Sequence, residues 1–136
     1  MRRFGLVGLS LVSAALLGAA PALANPVGEC QAITTSQVET GQCLTDTLGA
    51  AEYVMQNSLA NAQAKADSLD QVTGRVVARP ALDASQAEWV KFREVNCAVA
   101  GAMAAGASGS GQFITSCAID MTRVRADELS ALAAGA

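Results

Sequence analysis

Histidine is missing altogether from the 136 residues, and aromatic side chains are scarce, with one Trp, one Tyr and three Phe. Without histidine the chain lacks the commonest general base and the usual partner of a serine or cysteine nucleophile. No CxxC pair occurs either, and that pattern together with the missing histidine argues against a zinc site; no metal or other cofactor is expected. Proline is nearly as rare, since after Pro26 only Pro80 occurs, so little interrupts a long helix. Carboxylates at Asp67, Asp70, Asp83 and Glu88 are too scattered for the paired arrangement of a glycosidase and read as solvated faces. These absences point away from an enzyme.

Residues 1–24, MRRFGLVGLSLVSAALLGAAPALA, combine two arginines, an apolar run and the small-residue exit Ala22-Leu23-Ala24. This is the layout of a secretory signal peptide, with cleavage expected after Ala24. The run from Phe4 to Ala20 is short and rich in Ala, Gly and Ser, which disfavours a transmembrane anchor, so no membrane span is expected after cleavage. What remains, residues 25–136, is enough for one domain. It carries seven basic and twelve acidic residues, a net charge of −5. Nucleic acid is therefore a poor partner, whereas a cationic protein would be drawn to the surface.

All four cysteines, Cys30, Cys43, Cys97 and Cys117, lie in that expected mature part. An even count in an exported chain of this size predicts disulfides in the periplasm or outside the cell. Three pairings are possible. Spacing favours Cys97 with Cys117 across a hairpin and Cys30 with Cys43 at the start of the first long helix, although connectivity does not follow from spacing alone.

Almost everything else reads as helix. Ser36 and Glu39 form a capping-box pattern, so a helix should begin near Gln37. Leu44, Leu48, Ala51, Met55, Leu59, Ala62, Ala66 and Leu69 then recur at threes and fours to about residue 70. A connection through Gly74 and Pro80 follows. A second helix is expected from about Leu82, capped by Asp83 and Gln86, with Leu82, Trp89, Phe92, Asn96, Val99 and Met103 on its inner face. Gln86, Arg93 and Cys97 make a flanking stripe. After the turn AGASGSG a third helix should run from about Gln112 to Ala133, with Phe113, Cys117, Met121, Val124 and Leu132 inward. The expected fold is all-α: a three-helix antiparallel bundle stapled by two disulfides. So many alanines give a thin core and increase the weight of the staples.

The stretch ASQAEWVKFREVNC, residues 84–97, concentrates the only Trp, a Phe, an Arg and a Cys. Trp89 is expected to anchor the fold. Arg93 offers a fork of donors to a partner carboxylate, or within the fold an ion pair with Glu52 or Asp46 and stacking on Trp89. Arg123 and Arg125 read as surface or ion-pair residues, with Arg125 a candidate for binding as well. The turn from Ala105 to Gln112 is a further contact candidate, since loops on a rigid scaffold often carry function.

Leu82, Gln86, Trp89, Phe92, Arg93, Glu94 and Cys97, then a glycine-serine turn, then Cys117, Met121, Thr122, Arg125, Ala126 and Leu129 form a pattern that resembles the lysozyme inhibitor LprI-like domain. The likeness is closest over residues 82–129. In the first half Ala51-Glu52, Met55-Gln56 and Leu59 stand where the family usually has alanine-aspartate, leucine-asparagine and tyrosine, and SGSGQ replaces its GGS. The resemblance implies an all-helical, disulfide-bearing periplasmic domain with a role in inhibiting lysozyme, and the net charge of −5 would steer it toward a basic one. Glu52, Gln86, Trp89, Arg93 and Arg125 are its candidate structural or binding residues. The competing expectation is an envelope structural or stress adaptor that binds another envelope protein.

Overall fold

The computed structural model describes residues 25–107 and 109–135. The expected signal peptide, residues 1–24, lies outside the described residues. Four helices run in order: α1 (Pro26–Gln31), α2 (Gln37–Thr73), α3 (Ala78–Met103) and α4 (Ser110–Ala134). Among the described residues there is no strand. The three long helices and both disulfides are those expected from the sequence, with α1 as an addition.

α1 precedes the first helix expected from the sequence. Asn25 supplies an N-cap, its Oδ1 accepting from the Gly28 N–H at 3.2 Å, and Pro26 occupies the first helical position, where its missing N–H costs nothing and its fixed φ suits the helix. Cys30 then bridges to Cys43 with a Cα–Cα distance of 5.8 Å, tying α1 to the first turns of α2.

α2 has 37 residues, a rod of about 55 Å at 1.5 Å per residue. Ser36 caps it by accepting from the Glu39 N–H at 3.2 Å, as the capping pattern predicts. Glu39 reaches one residue further back, to the Thr35 N–H at 2.8 Å. Gly74, with φ of 65°, ends the helix in the left-handed region, and the Arg75 N–H closes onto the Asp70 carbonyl at 3.2 Å.

The start of α3 differs from expectation by one turn. Asp83 and Gln86 do not cap it. The Asp70 carboxylate, at the end of α2, instead accepts the N–H groups of Val77, Ala78 and Arg79 at 3.0, 2.8 and 3.0 Å. Pro80 thereby falls in the first turn, where a missing donor is tolerated. Asp83 is left free to pair with Arg79 and Gln63.

α2 and α4 run parallel, with Leu44 beside Ile119 in one core cluster and Met55 and Ala62 beside Ala126 and Leu129 in the next. α3 runs antiparallel to both and is stapled to α4 by Cys97–Cys117, Cα–Cα 5.4 Å. Gly101 permits the close approach there, since a Cβ on it would lie 2.5 Å from the Ile114 side chain.

The inner faces of α3 and α4 are corrected by the structure. Phe92, Val99 and Met103, expected inside, are 60 %, 56 % and 81 % exposed, while Gln86, Cys97 and Gly101 are buried. On α4, Phe113, Val124 and Leu132 are exposed, and Ile119, Thr122, Arg125, Ala126 and Leu129 are buried. The reason is physical. The stripe carrying the disulfide and the glycine allows the closest helix approach, and its polar members find partners inside. Apolar area is the weaker constraint in a core this thin. On α2 the predicted stripe holds from Leu44 to Ala66, but Leu69 is 46 % exposed.

Candidate functional site

Trp89 packs at the edge of the core cluster of Met55, Ala62, Ala126 and Leu129, and two guanidinium groups lie by its ring. The Arg93 Cζ is 5.3 Å and the Arg125 Cζ 5.9 Å from the ring centroid, within the range of cation–π attraction. α3 supplies Trp89 and Arg93 one helical turn apart, and α4 supplies Arg125 from the facing side.

Each arginine is also held by hydrogen bonds. Arg93 Nη1 donates to Glu52 Oε1 at 3.0 Å and to Thr122 Oγ1 at 2.8 Å, joining all three long helices at one atom. Of the two ion-pair partners open to it in the sequence, Glu52 is the one used. Arg125 is 8 % exposed. Its Nε donates to Gln86 Oε1 at 2.9 Å, one terminal nitrogen to Glu128 at 3.0 Å and the other to Ser85 at 3.3 Å. Gln86 Nε2 in turn points at Met55 Sδ, 3.7 Å away. A second polar tie, Ser58 to Ser130 at 2.9 Å, links α2 and α4 further along. Every buried side-chain nitrogen and oxygen among the described residues has a partner.

The structure thus brings Glu52, Gln86, Trp89, Arg93 and Arg125 into one network. The network acts as a clamp: all three nitrogens of Arg125 are engaged inside the fold, and Arg93 is tied down through Nη1. The pairings of Ser85 and Glu128 with Arg125 are absent from the sequence reading. The Arg125–Glu128 spacing of i to i+3 was the only local signal of either. The candidate turn from Ala105 to Gln112 is anchored to the rest of the fold by Gln112, whose Nε2 donates to the Gln37 carbonyl at 3.0 Å.

The scattered carboxylates have structural partners. Asp67 and Asp83 share Arg79, Asp70 caps α3, and Glu88 pairs with Lys91. No grouping of three metal-ligating side chains occurs among the described residues. Near the junction of α1 with α4, Arg123 donates to both oxygens of Glu29 at 3.0 and 2.9 Å. The Arg123 hydrogen bonds hold the Glu29 carboxyl below its ordinary pKa, while burial pushes Asp120, beside the same pair, upward.

Residues 30–129 match the family model described as lysozyme inhibitor LprI. The chain belongs to this family. The matched span includes both disulfides and all five members of the Trp89 network. No curated protein and no solved structure matches the chain. No helix among the described residues is long and apolar enough to cross a membrane.

Proposed function

We propose that the LprI-family chain is an exported lysozyme-inhibitor-like binding protein without catalytic activity, acting in the periplasm or outside the cell as a single domain of residues 25–136 once residues 1–24 are removed. The observation that carries this reading is the family match over residues 30–129. The net charge of −5 over residues 25–136 supports it, because long-range attraction would steer such a surface toward a strongly basic muramidase. A lysis assay tests it: purified oxidised protein at micromolar concentration should slow the clearing of a cell-wall suspension by a basic lysozyme. Clearing at an unchanged rate refutes the reading.

One observation favours a second reading, the envelope adaptor. Phe92, Val95, Val99 and Met103 lie along one exposed face of α3, and contiguous exposed apolar surface is typical of protein contacts. Recovery of one endogenous envelope protein in near-equal amount from periplasmic extract, with lysozyme ignored, would select it.

A further inference from the structure

A groove between α2 and α4 includes none of the five side chains of the Trp89 network in its lining. Ala50, Ala51 and Val54 of α2 and Ala126 of α4 form its apolar lining, with Arg123 and Asp127 at its polar edge. Its volume is about 280 Å³, below the roughly 300–1,000 Å³ of pockets that enclose a small-molecule ligand. It has room for one long side chain. The small side chains that leave the core thin also open this hollow where two helices run side by side.

The charges around the groove are unbalanced. Arg123 is committed to Glu29 through two hydrogen bonds and has Asp120 close by. Asp127, one turn further along α4, is exposed and makes no ion pair among the described residues. With Arg123 held by Glu29 and Asp120 outside the groove, Asp127 is the lining residue whose charge has no ion-pair partner among the described residues.

We infer that this groove receives a lysine or arginine side chain presented by a cationic protein. The aliphatic stem would lie along Ala50, Ala51, Val54 and Ala126, and its charged head would meet the Asp127 carboxylate, the arrangement amphipathic side chains favour. A second copy of this chain fits less well, because both copies carry a charge of −5 and repel. The inference rests on the proposed inhibitor reading for the identity of its partner, but the chemistry of the groove does not depend on it.

The test compares Asp127→Lys, Ala50→Trp and Glu94→Lys with the wild type. All three positions are exposed, so each variant should keep its helical circular dichroism and melting behaviour. Affinity for a basic lysozyme should fall roughly tenfold or more in Asp127→Lys and in Ala50→Trp, which fills the groove without changing charge. Glu94→Lys makes the same charge change as Asp127→Lys on another helix and should stay within about threefold of the wild type, the effect of altered steering alone. Equal losses in the two lysine variants, or no loss in Ala50→Trp, overturn the inference. Should the wild type not bind lysozyme at all, the inhibitor reading falls and the groove is decided separately by titrating the labelled protein with an arginine-rich peptide. Backbone amide shifts centred on Ala50, Ala51, Val54 and Ala126 uphold the groove; shifts spread over the whole surface or centred elsewhere reject it.

Discussion

Arg93 shows how a single side chain can hold three helices in register. Its guanidinium meets Glu52 on α2, Thr122 on α4 and the Trp89 ring on its own helix. Thr122 is fully buried and Glu52 is not, so Glu52 can turn to water if Arg93 is removed, whereas the Thr122 hydroxyl cannot. Replacing Arg93 with Met leaves the threonine hydroxyl short of a partner at a cost of about 1–3 kcal/mol. The double variant Arg93→Met/Thr122→Val should lose less than the two single changes added together, because removing both members leaves no orphan. Denaturant melts of the four proteins measure the coupling, and strictly additive losses would remove Thr122 from this role. The residue types of the clamp were legible in the sequence, including the Glu52 partner and the stacking on Trp89. Its position was not: a helical wheel ranks faces by hydropathy and sends Gln86 and Arg93 to the flank, whereas mutual satisfaction lets them replace Phe92 and Val99 inside.

Among the elements, the glycines separate helix propensity from packing. A Cβ at Gly49 meets nothing within 4 Å, whereas one at Gly101 runs into Ile114. Gly49→Ala should therefore stabilise the protein by about 0.5–1 kcal/mol, the ordinary helical gain. Gly101→Val should destabilise it by about 1–3 kcal/mol through overpacking against α4. Thermal melts with the disulfides intact check both signs, and a stabilising Gly101→Val would disprove the close approach.

The α2–α3 corner carries a pH dependence of its own. Hydrogen bonds from the Val77, Ala78 and Arg79 N–H groups hold the Asp70 carboxyl below its ordinary value of 3.8. Because the folded pKa is the lower one, the cap contributes fully above pH 3.8 and is lost as pH falls through the depressed value. The stability difference between wild type and Asp70→Asn should be constant near neutrality and shrink in that acidic window. A difference unchanged down to pH 2 would place the stabilisation elsewhere. This corner also marks a limit of reading by pattern. Asp83 and Gln86 offered a local capping pair, but a carboxylate eight residues before the helix wins by reaching three donors at once.

For the whole molecule, the long helices were legible because period is a one-dimensional signal, and of the three sulfur pairings open to the sequence the structure shows the one that spacing favours. α1 was not legible, since six residues carry too few repeats to show a period. The groove between α2 and α4 was hidden for another reason. It depends on which two helices lie parallel, and hairpin connections suggest only antiparallel neighbours. Each bridge closes a short loop, with a sequence separation of 13 for Cys30–Cys43 and 20 for Cys97–Cys117, and stabilises by about 3 kcal/mol in the chain-entropy account. With a core lined so largely by alanine, that contribution helps hold α1, which carries Glu29, on α2 and α3 on α4. The oxidised, acidic helical frame is proposed to bind a cationic protein. Calorimetric titration of a basic lysozyme into the oxidised chain, and into the same chain reduced and alkylated, tests it most directly. Saturable binding near one to one that weakens with salt and disappears on reduction is the predicted result; no binding by the oxidised chain, or equal binding by both forms, would contradict it.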